Sequence, residues 1–268
     1  HLYLRHSIYR AYIKYYQPEF QAIVGKQAVD WGKLRFYSPL DIFNPVGPLS
    51  LEPDERIGVD AVNINFSPEA FAGINAVVAP GENDEKSGGG VRIYKKISSY
   101  DVTVIAATMR KNESFGVSFD GYIKSAGFRG EIAHVNADNK RQFPRVGLGV
   151  DYTFSEKFYG LIEQFYNGGS ENDSASFYSS YLSSREIMSV KHNLTSTWLK
   201  YTFNPLLNFN NYVVYDWDGK SVALNPEFVY NIRQNMDLRF GSQFYWGNAN
   251  SEFGDYQNTY YAEFKWFF

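Results

Sequence analysis

The last nine residues of the chain alternate between apolar and polar side chains with a period of two. One parity holds only apolar residues, namely Tyr260, Ala262, Phe264, Trp266 and Phe268. The other parity includes the charged residues Glu263 and Lys265. A period of two places alternate side chains on opposite faces of an extended strand. The segment therefore predicts a β-strand with one apolar face, and the same alternation recurs upstream.

Fifteen segments of this kind are predicted as strands, most of them about ten residues long, which is enough for a tilted strand to cross a bilayer. The apolar phase is unclear in 56–66, 70–79 and 101–110. In 157–166, Glu163 shares a face with Leu161 and Phe165, which predicts a bulge or a wrong phase there. The predicted strands are 2–15, 19–28, 56–66, 70–79, 90–98, 101–110, 114–124, 127–136, 145–154, 157–166, 190–203, 208–217, 220–230, 235–246 and 258–268.

Composition excludes several classes of protein. Aromatic residues make up 18% of the chain, although the chain is hydrophilic on average. Its nearly apolar stretches, such as Ile74–Pro80, are far shorter than the ~18 residues of a membrane-spanning helix. The absence of cysteine rules out disulfides, Cys-based zinc sites and thiol nucleophiles. A net charge of −3 does not indicate a nucleic-acid binder.

The aromatic C-terminal strand resembles the terminal strand of Gram-negative outer-membrane β-barrels, which ends on a Phe. An edge strand of a soluble sandwich is the alternative. Such an edge would offer large apolar side chains to water and would promote aggregation. The resemblance implies an integral protein of the bacterial outer membrane.

The connections between the predicted strands support the same fold class. If Phe268 ends at the periplasm, alternate connections lie on alternate sides of the membrane. Short periplasmic turns with longer external loops are typical of outer-membrane barrels. The periplasmic set is short throughout: Tyr16–Pro18, Ser67–Glu69, Ser99–Tyr100, Ser125–Ala126, Ser155–Glu156, Asn204–Leu207 and Ile232–Gln234. The external set holds every long loop: Val29–Glu55, Pro80–Gly89, Ala137–Pro144, Asn167–Ser189 and Gly247–Gln257, besides the brief Lys111–Glu113 and Asp218–Gly219.

The sequence therefore predicts an all-β fold, a transmembrane antiparallel up-and-down β-barrel formed as a single domain over 1–268. The first predicted strand runs inward from the outside, and bacterial single-chain barrels have even strand numbers. We therefore expect at least one strand before His1 and sixteen or more in the complete protein. Barrels of ~16–18 strands leave an aqueous channel.

The residues opposite the apolar faces, and those of one long loop, are candidates for the lining of such a channel. Charges of both signs occur among them, which suits a channel that biases the passage of ions. The alternative for each is an ordinary solvated side chain. The candidates for pore lining or constriction are Arg10, Lys14, Lys33, Arg35, Asp41, Arg92, Lys96, Asp120, Arg129, Glu131, Lys200 and Arg239.

The long segment 29–55 is the strongest candidate for a constriction. Its prolines prevent regular strand pairing, yet it holds apolar residues such as Trp31, Leu40 and Phe43. A long loop with its own hydrophobic residues is expected to pack on another surface. We expect it to fold into the barrel, with Asp41 capping a helical turn. An external lid and a contact surface for a neighbouring protomer are the alternatives.

Part of this segment resembles a Gly-Arg-Gln…Trp-Gly…Asp…Asn-Pro pattern of Gram-negative porin-like outer-membrane families. Here it reads Gly25-Lys26-Gln27, Trp31-Gly32 and Asp41…Asn44-Pro45, with Lys26 in place of the usual Arg. The resemblance covers roughly 20 residues and implies passive transport of small hydrophilic solutes or ions.

No catalytic arrangement is evident, so the chain is not predicted to be an enzyme. His192 and Ser196 share a strand face, but four strand residues separate them by ~13 Å, beyond hydrogen-bond reach. No spacing of His, Asp and Glu suggests a metal site, and no cofactor is predicted.

Three functions remain open. The first is a porin, whose partners are small polar solutes, outer-membrane lipid and lipopolysaccharide, with a homo-oligomer such as a trimer. The second is a barrel sheath that encloses a partner protein, in an electron conduit or an export complex. The third is an adhesin or receptor that acts through external loops such as 167–189.

Overall fold

The computed structural model of the chain describes residues 8–45, 58–82, 87–138, 141–170 and 189–267. These residues form fifteen antiparallel strands, in which neighbours in sequence are hydrogen-bonded neighbours in the sheet. Within the described ranges, no helix is long and apolar enough to cross a membrane. The strands are β1 Ala11–Gln17, β2 Phe20–Gln27, β3 Val59–Glu69, β4 Ala72–Ala79, β5 Gly88–Ile97, β6 Tyr100–Met109, β7 Asn112–Ile123, β8 Ala126–Asn136, β9 Gln142–Ser155, β10 Phe158–Asn167, β11 Asn193–Asn204, β12 Leu207–Asp216, β13 Ser221–Arg233, β14 Met236–Trp246 and β15 Thr259–Trp266.

The first strand differs most from its prediction, which began at residue 2. Residues 1–7 lie outside the described residues, and the strand begins at Ala11. Ala11 pairs with Lys26, and β2 ends one residue later at Gln27. A β1 that began before Arg10 would therefore have no ladder partner in β2.

The lengths of the connections alternate along the chain. Every second connection, from the β1–β2 turn to the β13–β14 turn, is two residues long. The other set includes the longer connections 28–58, 80–87, 168–192 and 247–258. In an up-and-down sheet, alternate connections lie at the same end of the strands, so the predicted sorting of long loops to one end is confirmed. We call the two ends the short-turn end and the long-loop end.

Several tight turns place non-glycine residues in the left-handed region. Arg110 and Lys111, between β6 and β7, have φ values of 54° and 64°. Positive φ at both central residues defines the type I′ turn, whose twist matches that of the flanking strands. Lys124 and Asn235 have φ values of 57° and 71° in turns at the short-turn end.

One face of the strands presents large apolar side chains that the protein does not cover, and we call it the apolar face. Phe240, Phe264 and Trp266 are 50%, 56% and 61% exposed. Leu148 and Phe154 on β9 are also exposed, while Arg145, Gly147 and Gly149 on the opposite parity are buried. The apolar parities predicted for β9, β13, β14 and β15 are therefore those of the exposed face.

The chain divides into two compact units. The first comprises His1–Asp120, Glu131–Pro144 and Ser184–Ile187, and the second comprises Gly121–Gly130, Arg145–Ser183 and Met188–Phe268. The described part of the first unit has a hydrophobic core in which residues from the β2–β3 connection pack on strands β3, β4, β6 and β8. The second unit contains β10 to β15.

The structure also resolves the strands whose phase was uncertain. On β3, β4 and β6, the buried parity carries Ala61, Val77 and Ile105, while neighbouring apolar residues are exposed. On β10, the apolar face holds Ile162, and Glu163 is buried beside Leu161 and Phe165. The wrong-phase alternative is therefore confirmed for this strand, and a register irregularity falls earlier, between Phe158 and Tyr159.

Candidate functional site

The segment 28–45, the described part of the long β2–β3 connection, is buried against the first unit. Trp31, Leu40 and Phe43 are 2%, 0% and 1% exposed, and the Trp31 and Phe43 rings meet edge to face with centroids 5.0 Å apart. Burying side chains of this size contributes about 1.5–3 kcal/mol each. The segment is therefore held on the sheet by a dry apolar contact.

Small residues on the strands make room for these large side chains. We call this surface, opposite the apolar face, the loop seat. Gly116 belongs to it on β7, where an added Cβ would overlap the Leu40 side chain and the carbonyl oxygen of Ile132. The buried strand residues of the loop seat that form one cluster with the segment are Ala61, Val77, Ala79, Ile105, Ala107, Met109, Ala133 and Val135.

One buried carboxylate, Glu131 on β8, binds the backbone of the segment. Its Oε1 accepts the backbone N–H groups of Lys33 and Leu34, the latter at 2.9 Å. Its Oε2 accepts the Ser38 hydroxyl at 2.7 Å and the Leu40 N–H at 3.0 Å. Hydrogen bonds to a charged acceptor contribute about 1.5–3 kcal/mol each. Glu131 therefore fixes the path of residues 33–40 over the loop seat.

The residues in which the sequence resembles a porin-like pattern hold the same segment. The Trp31 indole Nε1–H donates to Asn75 Oδ1 on β4 at 2.9 Å, and the Asn44 side chain accepts the Val29 N–H at 2.8 Å. Gly25 has φ +121°, and a Cβ there would overlap the β1 backbone. The motif thus consists of residues that shape and attach this segment.

Asp41 was predicted to cap a helical turn, and this prediction is wrong. The Asp41 N–H donates to the Ser38 carbonyl at 3.2 Å in a turn, and residues 41–45 contain no helix. Asn44 precedes Pro45, which disfavours the helical conformation at that position. Residues 46–55 of the predicted constriction loop lie outside the described residues.

A cationic side chain borders the buried segment. The Arg92 guanidinium on β5 lies 5.9 Å from the Trp31 ring centroid and 5.1 Å from that of Tyr94. Arg92 pairs in register with Asn75, so it lies on the same face as the loop seat. Lys33 and Arg35 lie on the segment itself, where Arg35 is exposed.

In the second unit, the face opposite the apolar face is polar, and we call its part on β11–β15 the polar wall. Arg239 on β14 binds Glu227 on β13 and Glu263 on β15, with N–O distances of 3.4 and 3.2 Å. Lys265 lies 3.6 Å from Glu263, and the Tyr261 hydroxyl donates to Glu227 at 3.0 Å. Acids and bases on this wall are therefore matched in space.

The long-loop end of the second unit holds a second buried acid. Glu252, in the connection 247–258, accepts the N–H groups of Val190 and Lys191 at 2.7 and 3.1 Å. Its own N–H donates to Asp216 at 3.1 Å. Burial raises the pKa of the Glu252 carboxyl to about 8, with a further contribution from the Asp216 charge and opposition from the two N–H groups.

The predicted site residues do not form one cluster. Lys33, Asp41 and Glu131 come together around the segment, with Arg92 at its edge. Arg129 pairs with Asp151 in the second unit, and Arg239 with the acids of the polar wall. Arg10 and Lys14 are exposed at β1, Lys96 is exposed near the short-turn end over the Phe71 ring, and Asp120 and Lys200 are partly buried on their strands.

Two residues that bind the segment or its anchor, Asn75 and Ser38, were not predicted from the sequence. Asn75 lies within the nearly apolar stretch 74–80, and a lone amide in such a strand is the signal that could have revealed a buried partner. Ser38 carries no comparable signal, because its partner Glu131 is distant in sequence.

Among the residues that the structure describes, no group of three or more His, Asp or Glu side chains is arranged to hold a metal ion.

No protein-family model and no curated protein matches the sequence. Solved structures do match the fold. Pseudomonas aeruginosa OccK10 (OpdN) is 11% identical with a TM-score of 0.60, covering 89% of this chain and 78% of its own. Pseudomonas aeruginosa OccK5 (OpdH) is 10% identical with a TM-score of 0.59, covering 95% and 78%. A triple mutant of the Rhodopseudomonas blastica porin is 12% identical with a TM-score of 0.53, covering 92% and 88%. The fold is therefore that of a porin-like antiparallel up-and-down β-barrel.

Proposed function

We propose that the chain forms a passive, water-filled channel in a bacterial outer membrane for small hydrophilic solutes or ions. In this proposal, the apolar face contacts lipid, the opposite face lines the channel, and the segment 28–45 narrows it. The observation that carries the proposal is the burial of this segment on the face opposite the exposed rings, with its backbone bound to Glu131.

The exposed rings support the membrane part of the proposal. Side chains such as Phe154 and Trp266 would aggregate in water if a whole sheet face presented them. In a bilayer, the same alternation is the expected one, with an apolar band outside and polar residues inside. The outer membrane, its lipopolysaccharide and a homo-oligomer remain predictions from the sequence.

The covered loop seat favours a solute channel over a sheath around a partner protein. A sheath needs its inner surface for the partner, whereas the chain's own segment covers the surface at β3, β4, β6 and β8. Lys33, Arg35 and Arg92 at the segment would give the constriction a positive edge. A positive constriction lowers the energy of a passing anion relative to that of a cation.

Conductance in planar bilayers tests this function, with the variant Glu131→Gln as the probe of the constriction. The amide keeps one acceptor oxygen but places an NH₂ group against two donors, so at least two hydrogen bonds are lost. Each 1.4 kcal/mol of lost attachment raises the unseated population about tenfold. We expect the wild-type chain to form channels and the variant to give larger, noisier currents.

Glu113→Gln is the matched control. It removes the same charge from the neighbouring strand β7, at an exposed side chain that accepts from Asn136 at 3.3 Å. It should conduct like the wild type. The absence of channels in wild-type protein would overturn the function, and equal currents in Glu131→Gln and wild type would overturn the role of the segment.

A further inference from the structure

Three aromatic side chains meet beside the polar wall, and we call them the ring cluster: Tyr159 on β10, Trp198 on β11 and Tyr212 on β12. The Trp198 and Tyr212 centroids are 5.9 Å apart with planes at 19°. Tyr159 stands at 66° to Trp198, with centroids 5.1 Å apart. Trp198 pairs in register with both Leu161 and Tyr212, so all three rings lie on the face opposite the apolar face.

The Trp198 ring is fixed and only partly buried. Its Nε1–H donates to Asn210 Oδ1 at 3.1 Å, and the Asn210 amide donates to Glu227 at 3.2 Å. Each ring of the cluster is half-buried. The cluster therefore offers flat apolar surface in a defined orientation, next to groups that form hydrogen bonds.

The polar groups around the cluster both donate and accept. Thr202 donates its hydroxyl to Asn208 at 2.8 Å, and Tyr261 lies 3.0 Å from both Asn225 and Glu227. Amides and hydroxyls of this kind match a ligand whose own hydroxyls donate and accept. A site with apolar surface and a few oriented polar groups is the usual composition of a small-molecule site.

The charged side chains of the polar wall do not favour an anionic ligand over a cationic one, because acids and bases are equal in number there. Between the ends of β11–β15, the acids Glu227, Asp237 and Glu263 balance the bases Lys200, Arg239 and Lys265. Lys200 pairs in register with Tyr159, so it repels a cation from the rings. This opposes the cation–π recognition that aromatic rings alone would permit.

We propose that the ring cluster binds neutral sugars of the mono- and disaccharide class, whose apolar ring face stacks on Trp198 while their hydroxyls bond to the adjacent amides. This inference rests on the proposed function, since it makes the polar wall a part of the channel lining. It adds a ligand class and a site in the second unit, whereas the segment 28–45 belongs to the first unit.

Tryptophan fluorescence of purified protein in detergent tests the binding without requiring a channel. D-Glucose and maltose are the probes, and Trp198→Ala is the main variant. Trp246→Ala, which removes an exposed ring from the apolar face, is the matched control. Trp198→Phe keeps a ring in place and guards against loss of folding in the alanine variant.

We expect saturable quenching by maltose in wild type and in Trp246→Ala. The maltose affinity of Trp198→Ala should be about tenfold lower than that of the wild type. Because this variant lacks the reporter ring, its affinity is measured by isothermal titration calorimetry in the same detergent. Trp198→Phe should lose less. Equal maltose affinity in Trp198→Ala and wild type, or no maltose response in wild type, would overturn the proposal.

Two further probes test the ligand class. Sodium benzoate and tetramethylammonium chloride should each bind more weakly than maltose, and stronger binding of either ion would overturn the choice of a neutral sugar. If the protein conducts but does not bind maltose, this inference is wrong while the channel function stands. Maltose binding without conductance would support it while the channel function falls.

Discussion

The loop seat and the polar wall lie on different strands, but in both the side chains are on the strand face opposite the apolar face. On β3, β4, β6 and β8, that face holds small apolar residues because the chain's own segment covers it. On β11–β15, it holds amides, acids and bases, of which Asn210, Asn225 and Glu227 are buried while the basic side chains and the rings of Trp198 and Tyr212 are only partly buried. Whether another segment of the chain covers this face therefore decides whether its residues are apolar or polar.

The largest effect is expected from substitution of Gly116, which lies against Leu40 in the loop seat. Gly116→Leu introduces a Cβ that overlaps Leu40 and the backbone of β8, and overpacking of this kind costs about 1–3 kcal/mol. The segment should be displaced, and trypsin should cut at Lys33 and Arg35 in folded protein. Gly160→Leu is the control, because its Cβ meets only the movable side chains of Phe154 and Leu199, at 3.1 and 3.5 Å. Equal resistance of Gly116→Leu and wild type to trypsin would show that the seat is not tightly packed.

Two matched tryptophan variants should separate the dry region from the wetter one. Trp31→Phe leaves the buried Asn75 oxygen without its indole donor, which costs about 1–3 kcal/mol. Trp198→Phe leaves the Asn210 oxygen beside a half-buried ring, where water can replace the donor. Urea midpoints in detergent should therefore fall more for Trp31→Phe. A larger fall in the urea midpoint for Trp198→Phe than for Trp31→Phe would contradict the view that the loop seat is drier than the polar wall.

The difference between the loop seat and the polar wall could be predicted in part from the sequence. The segments of unclear phase, 56–66, 70–79 and 101–110, correspond to β3, β4 and β6, three of the strands that form the loop seat. Because their inner face is also apolar, alternation in polarity fails there, while it remains clear on β13 to β15. An unclear phase in such a chain thus marks a covered inner face.

The attachment of the segment could not be predicted to the same depth. The motif residues Trp31 and Asn44 identified the segment, but the spacing in sequence gives no sign that Glu131 accepts the N–H groups of Lys33 and Leu34 nearly a hundred positions earlier. Glu131 was predicted only as a lining residue. Its partners are backbone groups, which carry no sequence signal.

The smallest expected effect concerns Glu252, a buried acid at the long-loop end of the second unit. Because the pKa of Glu252 is raised to about 8 when it is buried, the contact is favoured while the carboxyl is neutral. That stabilisation is complete below the ordinary pKa of Glu and is lost as pH rises through 8. Amide exchange at Val190 and Lys191, corrected for intrinsic rates, should accelerate up to about tenfold from pH 6 to pH 7 and level off above pH 8.

Glu252→Gln should remove this pH dependence, since it carries no charge at either pH. Matched acceleration in wild type and in the variant would show that the Glu252 charge does not govern the contact. The seat offers an internal reference, because its cover does not depend on Glu252.

The account rests on which strand face meets lipid, and labelling of single cysteines tests that most directly. The natural chain has no cysteine, so Phe240→Cys and Phe264→Cys report the apolar face, while Lys200→Cys and Tyr212→Cys report the polar wall. In reconstituted vesicles, a charged, water-soluble thiol reagent should modify the second pair and spare the first, and lipid-attached quenchers should reach only a dye on the first. Rapid modification of Phe240→Cys and Phe264→Cys by the charged reagent, with Lys200→Cys and Tyr212→Cys protected, would contradict the account.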